Sequence, residues 1–491
     1  LRNRRVRVTC TTGGVTYNRF YGYVDGWQVD WPSTVVGVSD CLVSASSRMS
    51  RLGRGVELRS GIEEERLLDS PVAYFTLGDP AGSTSADDSS GSGVSALQMV
   101  GTGTAVVFGN ATGPPTDGLT AATFAGGKYL GGSLLAAPTD FTLSAFVLHS
   151  TTIPTTAEIF VRVDNTENIG RAMMYVSSSG DANPGTLNDT AGADLCDGAT
   201  HHVAYSINAA GDEEIYLDGA PISSGTGPAM STLLKGLSVG AGGNSGDTPF
   251  TGTISHVSVH DSILSAARIA KHAAGRTTTE TETIGELTAR LASYAGVPAA
   301  NVSATATTEI PYFDASGLTA IDGMRRAETT EGGVLYDALD GTLTLAARSA
   351  RYNAASAYTL DAEQGAVSGV LVPVLDDLGQ INDSTVTNTL GVSARQFDQT
   401  AIDADGYYRS TVDSLSADPW EPLARASWDV LRNADPDTRI AEVQVLLNTA
   451  NGTVTAGVLN SVPGTKLTLT GLPTNAPATS MELFVEGRSE T

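Results

Sequence analysis

Short apolar runs separated by clusters of Gly, Asp, Asn and Ser fill residues 72–262, and this pattern limits the fold more than any other feature. Six of the clearest runs lie at 141–150, 158–164, 171–179, 201–208, 213–222 and 252–260. Strands that recur about every 8–12 residues, with turn residues between them, are typical of a β-sandwich. Within it, Asp218-Gly219 is predicted to form a hairpin turn.

Different patterns flank this segment. Residues 1–58 alternate apolar and polar positions, with Gly13-Gly14 as a tight turn, and predict an antiparallel β segment that ends near Leu52. A short charged helix is expected over 59–71, where Pro71 ends it. A second helix is expected over 262–275 with Gly275 as its C-cap, and residues 276–283 are expected to form a linker.

The C-terminal part mixes helices and strands. Helices are predicted over 283–296, 317–333 and 419–435, and strands over 439–448 and 464–473. A hairpin over 334–348 is expected to set Val334 and Tyr336 opposite Leu343 and Leu345 across an Asp340-Gly341 turn. The helix over 419–435 is amphipathic and carries Trp420, Leu423, Trp428 and Leu431. Its tryptophans, like Trp27 and Trp31, are interpreted as core or interface residues.

Length, charge and cysteine content narrow the class of protein. The 491 residues suggest about three domains. The net charge is −25, distributed as +3 over residues 1–68 (ten basic, seven acidic), −13 over 69–275 (six, 19) and −15 over 276–491 (13, 28). This acidity argues against sequence-independent nucleic-acid binding, which needs basic surface. No membrane span is expected, because the chain contains no run of about 18 apolar residues.

The three cysteines, Cys10, Cys41 and Cys196, are too few and too scattered for a disulfide framework and are interpreted as small buried apolar residues. The chain starts at Leu1 within a strand pattern and ends within another, so we expect further residues beyond both ends.

Candidate catalytic signals in the sequence are weak. All six histidines lie in the sandwich segment, at His149, His201, His202, His256, His260 and His272. His256 and His260 share a strand face but lie about 13 Å apart, too far to bind one metal ion without help, so surface or supporting polar roles are favoured. The stretch 236–240 matches G-x-S-x-G, yet it lies in a strand pattern without the helix that a nucleophile elbow needs.

Glycoside hydrolysis and calcium binding are two further chemistries to consider for a sandwich of this kind. The sequence contains no E-x-D, so the strand motif that supplies both carboxylates of a laminarinase-type glycosidase is absent. The acidic clusters Asp87-Asp88, Asp212-Glu213-Glu214 and Asp164-Asn165 are candidate calcium ligands, with solvated turn residues as the alternative.

Residues 70–275 resemble the laminin G or concanavalin A-like superfamily. The resemblance rests on four stretches: "LLDSPVAYFTLGDPAGSTSADDSSGSG", "FTLSAFV", "HHVAYSIN…EEIYLDG" and "FTGTISHVSVHDSILSAARIAKHAAG". Phe146 stands where this family usually has Trp. The resemblance implies a sandwich that binds carbohydrate in many members and calcium on loops in some.

The flanking stretches resemble minor tail proteins of actinobacterial siphophages, of the baseplate-hub family. These stretches are "RRVRVTCTTGGVTYNRFYGYVDGWQVDWPS", "IDGMRRAETTEGGVLYDALDGTLTLAAR", "INDSTVTNTLGVSARQFDQTAIDADGYYRSTVDSL" and "DPWEPLARASWDVLRNADPDTRIAEVQV". Single pieces are moderately specific, and their order makes the case. The resemblance implies a hub that is split to admit the sandwich as an insert.

The sequence therefore predicts a mainly β protein with some α (α+β). Its expected segments are an N-terminal hub part over 1–66, the concanavalin A-like insert over 67–276, an α+β hub continuation over 277–365, a second hub β/α domain over 366–448 and a C-terminal β segment over 449–491. A sandwich can be inserted into another domain because its own two termini lie close together at the surface.

The expected function is a structural virion protein of the tail tip, without enzymatic activity, whose insert contacts host cell-surface polysaccharide. The hub resemblance implies a homotrimer around the tail axis that contacts a distal tail ring, a tape measure and tail fibres after assembly in the host cytoplasm. No cofactor is predicted, apart from the calcium question on the insert. A tail-tip envelope hydrolase and a purely architectural insert are the alternatives.

Overall fold

The structure is a computed structural model that describes residues 3–30, 40–110, 117–164, 172–180, 182–184, 194–226, 235–242, 248–274, 281–435 and 438–490. It is mainly β-sheet with few helices, as the sequence predicts. The chain divides into two compact units. The first unit combines Leu1–Glu57 with Thr281–Thr491, and the second unit is Leu58–Glu280.

The N-terminal stretch of the first unit forms a three-stranded antiparallel sheet in the order β1-β2-β3, made of β1 (Arg5–Thr12), β2 (Val15–Asp30) and β3 (Asp40–Ser46). Gly13 and Gly14 both have positive φ and turn β1 into β2, as predicted. The predicted strand pattern is wrong at its end, because Arg48–Leu52 forms a short helix, α1. Ser47 starts α1 by accepting a hydrogen bond from the Ser50 amide.

The second unit begins with α2 (Gly61–Leu68), which starts at a capping box formed by Ser60 and Glu63. The unit boundary at Leu58 lies before α2, whereas the sequence pattern places residues 59–66 in the first segment. Fifteen strands and one helix follow, namely β4 (Ala73–Phe75), β5 (Ser85–Ala86), β6 (Leu97–Val100), β7 (Val107–Asn110), β8 (Ala121–Ala125), β9 (Tyr129–Ser133), β10 (Phe141–His149), β11 (Glu158–Asp164), β12 (Ala172–Val176), β13 (Ala182–Pro184), β14 (Thr200–Ile207), β15 (Asp212–Leu217), β16 (Ala220–Thr226), β17 (Gly236–Val239), β18 (Thr251–His260) and α3 (Ala266–Ala274).

These strands form two sheets packed face to face. The eight-stranded sheet has the order β16-β15-β14-β10-β18-β8-β7, with β4 paired to β18, and the seven-stranded sheet has the order β13-β12-β11-β17-β9-β6-β5. Inward-facing apolar side chains of both sheets, among them Leu143, Phe160, Tyr205, Leu237 and Val257, form one continuous core. The six runs named above correspond to strands of this sandwich, and Asp218-Gly219 joins β15 to β16 as predicted.

The outer face of the eight-stranded sheet is covered rather than open to water. A small cluster joins Ala204 of β14 and Tyr216 of β15 to Leu264 and Ile269, which lie before and within α3. Helix α2 packs on α3. We call this side of the sheet the helix-covered face. The predicted C-cap Gly275 and most of the predicted linker lie outside the described residues.

The rest of the first unit follows the second unit in the chain. It contains β19 (Thr281–Thr283), α4 (Ile284–Tyr294), β20 (Val302–Ala304), β21 (Glu309–Pro311), α5 (Ala320–Glu331), β22 (Val334–Asp337), β23 (Leu343–Ala346), β24 (Tyr358–Asp361), β25 (Val367–Ser368), β26 (Pro373–Val374), β27 (Asp383–Thr387), β28 (Ser393–Phe397), α6 (Gln399–Asp405), β29 (Arg409–Asp413), α7 (Glu421–Asn433), β30 (Arg439–Ile440), β31 (Gln444–Val445), α8 (Gly452–Asn460), β32 (Lys466–Thr470) and β33 (Met481–Phe484), with short 3₁₀ turns at 299–301 and 348–351.

One sheet links distant parts of this stretch. β24 pairs in parallel with β32, which pairs with β33, so residues 358–361 share a core with residues 466–484. The sequence pattern assigns these residues to separate segments.

The predicted β22–β23 hairpin forms, but its register differs from the expected one. Leu335 lies opposite Leu345 and Tyr336 opposite Thr344, because Ala338 and Thr342 close a three-residue loop through a 2.8 Å backbone hydrogen bond. A two-residue turn at Asp340-Gly341 would shift the pairing by one residue and change which side chains face the core.

Gly341 provides a test of this turn. Its φ is +87°, and an added Cβ would lie 2.3 Å from Tyr21 Cδ1. We expect Gly341→Ala to lower the free energy of unfolding of the first unit by about 1–3 kcal/mol, through backbone strain and the clash. Chemical denaturation followed by tryptophan fluorescence measures this change, since all four tryptophans lie in the first unit. Gly379→Ala is the control. Gly379 also has a positive φ, +84°, but nothing lies within 4 Å of its added Cβ, so strain alone should act there.

Helix α7 buries an unexpected side. Trp420, just before the helix, and Leu431 within it are 75% and 84% exposed. Of the interpretation of Trp420 as a core or interface residue, the core part is therefore wrong and the interface part stays a prediction. The buried stripe combines the apolar Pro422, Ala426 and Val430 with charged residues. Of the charged residues, Glu421 pairs with Arg348 at 3.2 Å, and Asp429 pairs with Arg425 and accepts a hydrogen bond from Ser384. These partners compensate the buried charges.

Candidate functional site

The face of the seven-stranded sheet that points away from the core carries polar and aromatic side chains. Strand register aligns Gln98 of β6, Gly131 of β9, Ser238 of β17 and Arg162 of β11 in one row across four neighbouring strands. The adjacent row of Met99, Leu130, Val239 and Val161 packs into the core, so the first row lies on the opposite side. At strand spacing, the row is about 14 Å long.

More residues share this side of the sheet. Asp164 and Gly236 are paired in register beyond Arg162 and Ser238. Tyr175 of β12 lies on the same side, because its neighbours Met174 and Val176 are core residues. We name this surface the polar face and define it by Gln98, Tyr129, Gly131, Arg162, Asp164, Tyr175, Gly236 and Ser238.

The centre of the polar face is an ion pair whose carboxylate lies against Gly236. Arg162 Nε lies 3.4 Å from Asp164 Oδ2. A Cβ on Gly236 would lie 2.1 Å from Asp164 Oδ1, so only glycine allows the carboxylate to occupy this place. Burial raises the pKa of Asp164, and Arg162 opposes the shift. The pair therefore offers a cation and a carboxylate side by side on a sheet.

Two tyrosines flank this ion pair. Tyr129 packs beside Gly131, where an added Cβ would lie 3.4 Å from its ring. Burial raises the pKa of Tyr129, and the charge of Asp164 adds to the shift. Tyr175 is half-buried, and burial also raises its pKa. Gln98 is exposed and Arg162 partly so, whereas Tyr129, Asp164 and Ser238 are almost fully buried. A ligand would therefore contact Gln98, Arg162 and Tyr175, with the buried residues as support.

The histidines lie elsewhere, and most are buried on the helix-covered face. His256, His260 and His272 are at most 1% exposed. Of the two roles favoured for His256 and His260, the supporting polar role therefore fits and the surface role does not. His256 occupies a bulge with φ of +51°, and its ring nitrogens face Tyr74 Oη at 2.7 Å and Asp117 Oδ2 at 3.0 Å. Phe146 packs between the rings of His202 and His256 and under the Arg66 guanidinium.

A second group ties the start of the second unit to its end. The Asp69 carboxylate faces His272 Nε2 at 2.8 Å and accepts from Arg268 Nε at 3.0 Å. His260 and His272 have ring centres 5.4 Å apart. These contacts join residues near α2 with β18 and α3, where the chain enters and leaves the unit.

Predicted calcium ligands in two of the clusters already accept hydrogen bonds from other parts of the sandwich. Asp88 accepts hydrogen bonds from the Tyr74 amide and from Ser90, and Glu213 accepts one from Tyr205 Oη at 2.6 Å. Among the residues that the structure describes, no group of three or more His, Cys, Asp or Glu has the arrangement of a metal site. Asn165 of the third predicted cluster lies outside these residues, as does Trp31.

The remaining sequence signals have simple structural explanations. The G-x-S-x-G match lies in β17, which confirms that it is a strand and not a nucleophile elbow. Trp428 packs edge-to-face against Tyr352 within the first unit, with ring centres 4.5 Å apart. Within the described parts of the chain, no helix has the length and apolar character to cross a membrane.

Residues 123–270 match the family described as the concanavalin A-like lectin/glucanases superfamily, in its laminin G type. The second unit contains a concanavalin A-like domain. The match confirms the resemblance of the middle segment to concanavalin A-like proteins. We call the second unit, with its jelly-roll domain, the lectin-like unit. The match leaves the resemblance of the flanking stretches as a prediction. No curated protein matches the sequence.

Solved structures similar to the chain include three of different kinds. Domain 4 of AbnA, an extracellular arabinanase from Geobacillus stearothermophilus in complex with arabinotriose, is 19% identical, with 42% of this chain and 98% of that chain covered and a TM-score of 0.31. The receptor binding domain of botulinum neurotoxin mosaic serotype C/D is 12% identical, with 43% and 52% covered and a TM-score of 0.32. Trypanosoma rangeli sialidase in complex with sialic acid is 10% identical, with 55% and 52% covered and a TM-score of 0.31. The chain thus spans about half the length of the last two.

Proposed function

We propose that the chain is a structural protein of a phage tail tip, and that its lectin-like unit binds a polysaccharide on the host cell surface. The single observation that carries the proposal is the division of the chain. Two stretches separated by more than two hundred residues form one compact unit, and a concanavalin A-like domain lies between them in sequence. An inserted binding module on a structural body has this organisation.

Two features of the first unit support a role in a larger protein assembly. The flanking stretches resemble the baseplate-hub family in order as well as in pattern. Trp420, Leu423 and Leu431 expose apolar surface, which in soluble proteins often marks contact with another protein. In this proposal the contacts are with copies of the chain in a trimer and with other tail proteins, in a virion assembled in the host cytoplasm.

The polar face is the proposed glycan site. A sugar ring has apolar C–H faces and hydroxyl groups at its edge. Tyr175 offers an aromatic surface, and Gln98 and Arg162 offer side-chain donors on the same side of the sheet. A trimer would present three such sites, and multivalent binding could then strengthen weak single sites by about 10²–10⁴-fold where geometry allows.

The proposal includes binding without hydrolysis. A retaining glycosidase needs two carboxyl groups about 5 Å apart, one as acid and one as nucleophile. Among the described strand residues of the polar face, Asp164 is the one carboxylate, and Arg162 is paired with it. This arrangement suits recognition better than catalysis.

We expect the full-length chain to bind actinobacterial cell-wall polysaccharide, with Tyr175→Ala weakening the affinity about tenfold through loss of a buried aromatic contact. Titration of a fluorescently labelled chain with soluble polysaccharide measures the dissociation constant. Tyr407→Ala removes a tyrosine that is 57% exposed in the first unit and serves as the matched control. Each titration is repeated with EDTA, and a loss of affinity there would assign calcium to the site.

Three results would count against parts of this proposal. Equal affinities for Tyr175→Ala and Tyr407→Ala would place any glycan site away from the polar face. Absence of binding by the full-length chain, even when crosslinked as a trimer, would leave the insert as tail architecture. Shortening of the polysaccharide during the titration would identify a hydrolase.

A further inference from the structure

A thiol, an imidazole and a carboxylate lie in a row at one end of the second unit. Cys196 Sγ lies 3.3 Å from His149 Nδ1, and His149 Nε2 lies 3.3 Å from Glu158 Oε2. His149 ends β10, Glu158 begins β11, and Cys196 precedes β14, so three separate segments converge. Cys196 and His149 are 6% and 3% exposed.

The hydrogen-bond partners define the protonation state of His149. Nδ1 lies 2.9 Å from the Ser150 carbonyl oxygen, which can only accept. Nε2 lies 3.3 Å from Glu158 Oε2, which also accepts a 2.8 Å hydrogen bond from the Thr251 amide. Both ring nitrogens thus face oxygen acceptors, an arrangement that favours the imidazolium over the neutral ring. In agreement, the Glu158 carboxylate raises the pKa of His149.

A positive charge in contact with sulfur favours the thiolate over the thiol. Other charged groups near Cys196 act less directly. Its amide donates to Asp194 Oδ1 at 2.7 Å, but the Asp194 side chain is exposed and screened by water. The neighbouring Asp197 pairs with His201 at 3.1 Å. The buried His149 ring lies in direct contact with the sulfur, at 3.3 Å.

We propose that Cys196 is a site of covalent modification, where the His149–Glu158 pair holds a reactive thiolate. The sulfur forms a bond to an electrophilic carbon while the bond to the leaving group breaks, and the leaving group departs with the electron pair. Burial restricts the reagents to small ones. The Glu158 carboxylate, which lies on the other side of His149, disfavours anions, so the substrate class is small, uncharged electrophiles.

The test uses the full-length Cys10→Ser/Cys41→Ser variant, in which Cys196 is the remaining cysteine. The rate of carbamidomethylation by iodoacetamide is followed by intact mass from pH 5 to pH 10, and thiolate absorbance near 240 nm is recorded in parallel. We expect the reaction midpoint at least one pH unit below the ordinary cysteine value of about 8.5. Iodoacetate, which is anionic, should be slower than iodoacetamide by a larger factor than it is with N-acetylcysteine.

Two variants distinguish stabilisation of the Cys196 thiolate from an effect on packing. His149→Gln should move the midpoint upward and lower the rate at pH 6.5 about tenfold, and Glu158→Gln should move it in the same direction by less. If circular dichroism shows that His149→Gln does not fold, the reaction midpoint of Glu158→Gln and the absorbance titration test whether the pair stabilises the thiolate. A midpoint at or above 8.5, a midpoint unchanged in the variants, or reaction only in denaturant would overturn the proposal.

Discussion

Phe146→Ala is expected to lower the free energy of unfolding of the lectin-like unit by about 3–5 kcal/mol, the range for truncation of a buried aromatic side chain. Phe146 is fully buried, yet it lies on the helix-covered face of β10 rather than in the sandwich core. Its ring centre lies 5.0 Å from that of His202 and 5.9 Å from that of His256, and the Arg66 guanidinium lies 5.1 Å above it.

The size of this effect follows from what the ring supports. Arg66 is itself fully buried, and its guanidinium donates to the backbone oxygens of Ile62 and His272. Loss of the ring would leave a cavity beside a buried cation and remove a favourable cation–π contact. The polar groups that now pack around Phe146 would then line an empty cavity.

Calorimetry measures this change as a lower transition temperature of the second unit. Tryptophan fluorescence follows the first unit separately and should not change, because all four tryptophans lie there. Val107→Ala, at a residue that is 57% exposed in the same unit, is the control and should stay within about 0.5 kcal/mol of the parent. A loss below about 1 kcal/mol for Phe146→Ala would show that the ring is not a packing centre.

The strands of the sandwich could be predicted from the sequence because their signal is local. The short apolar runs that become β10 and β18, and the Asp218-Gly219 turn, depend on neighbouring residues alone. The polar face could not be found in this way. Its row joins β6, β9, β17 and β11, and their order in the sheet does not follow their order in the chain.

Buried polar residues were the main source of wrong expectations. Asp69 and His272 are 203 residues apart in sequence, and nothing near either one indicates the other. Helix α7 shows the same limit, because Glu421 and Asp429 find partners in Arg348 and Ser384, far along the chain. A periodic pattern identifies the two sides of a helix. Which side is buried depends on such distant partners.

Acid is expected to destabilise the lectin-like unit through His260. Burial lowers the pKa of His260 to about 3, with the nearby His272 acting in the same direction. The pKa of His272 is also lowered, chiefly by burial, although Asp69 opposes the shift. His260 is therefore neutral in the folded protein at pH values where the unfolded chain, with a pKa near 6.5, binds a proton, and His272 binds fewer protons when folded than when unfolded.

The direction of the change in stability and its pH range follow from the difference in proton binding between the folded and unfolded states. Since the unfolded state binds more protons, stability falls as the pH falls below about 6.5, and for His260 the loss continues to about pH 3. His260 alone should cost about 2–3 kcal/mol between pH 6.5 and pH 4.5. Asp69 adds to the loss only below about pH 4, because its pKa is lowered by His272 and Arg268 against the effect of burial.

Two other histidines act in a separate range. The pKa values of His149 and His201 are raised, the first by Glu158 and the second by Asp218. Their contribution to stability is fully present below about pH 6.5 and is lost as the pH rises through the folded-state pKa values. The second unit should therefore be most stable near pH 6.5, with different histidines responsible for the loss on either side.

Calorimetric scans of the full-length chain from pH 4 to pH 9 can separate these contributions. His260→Gln should flatten the acid side of the profile of the second unit and leave its alkaline side unchanged. His201→Gln, in the same unit, should do the reverse, so each variant is the control for the other. An acid slope as steep in His260→Gln as in the parent chain would mean that His260 does not carry the acid sensitivity, and that other groups buried at the junction of α2, α3 and β18 do.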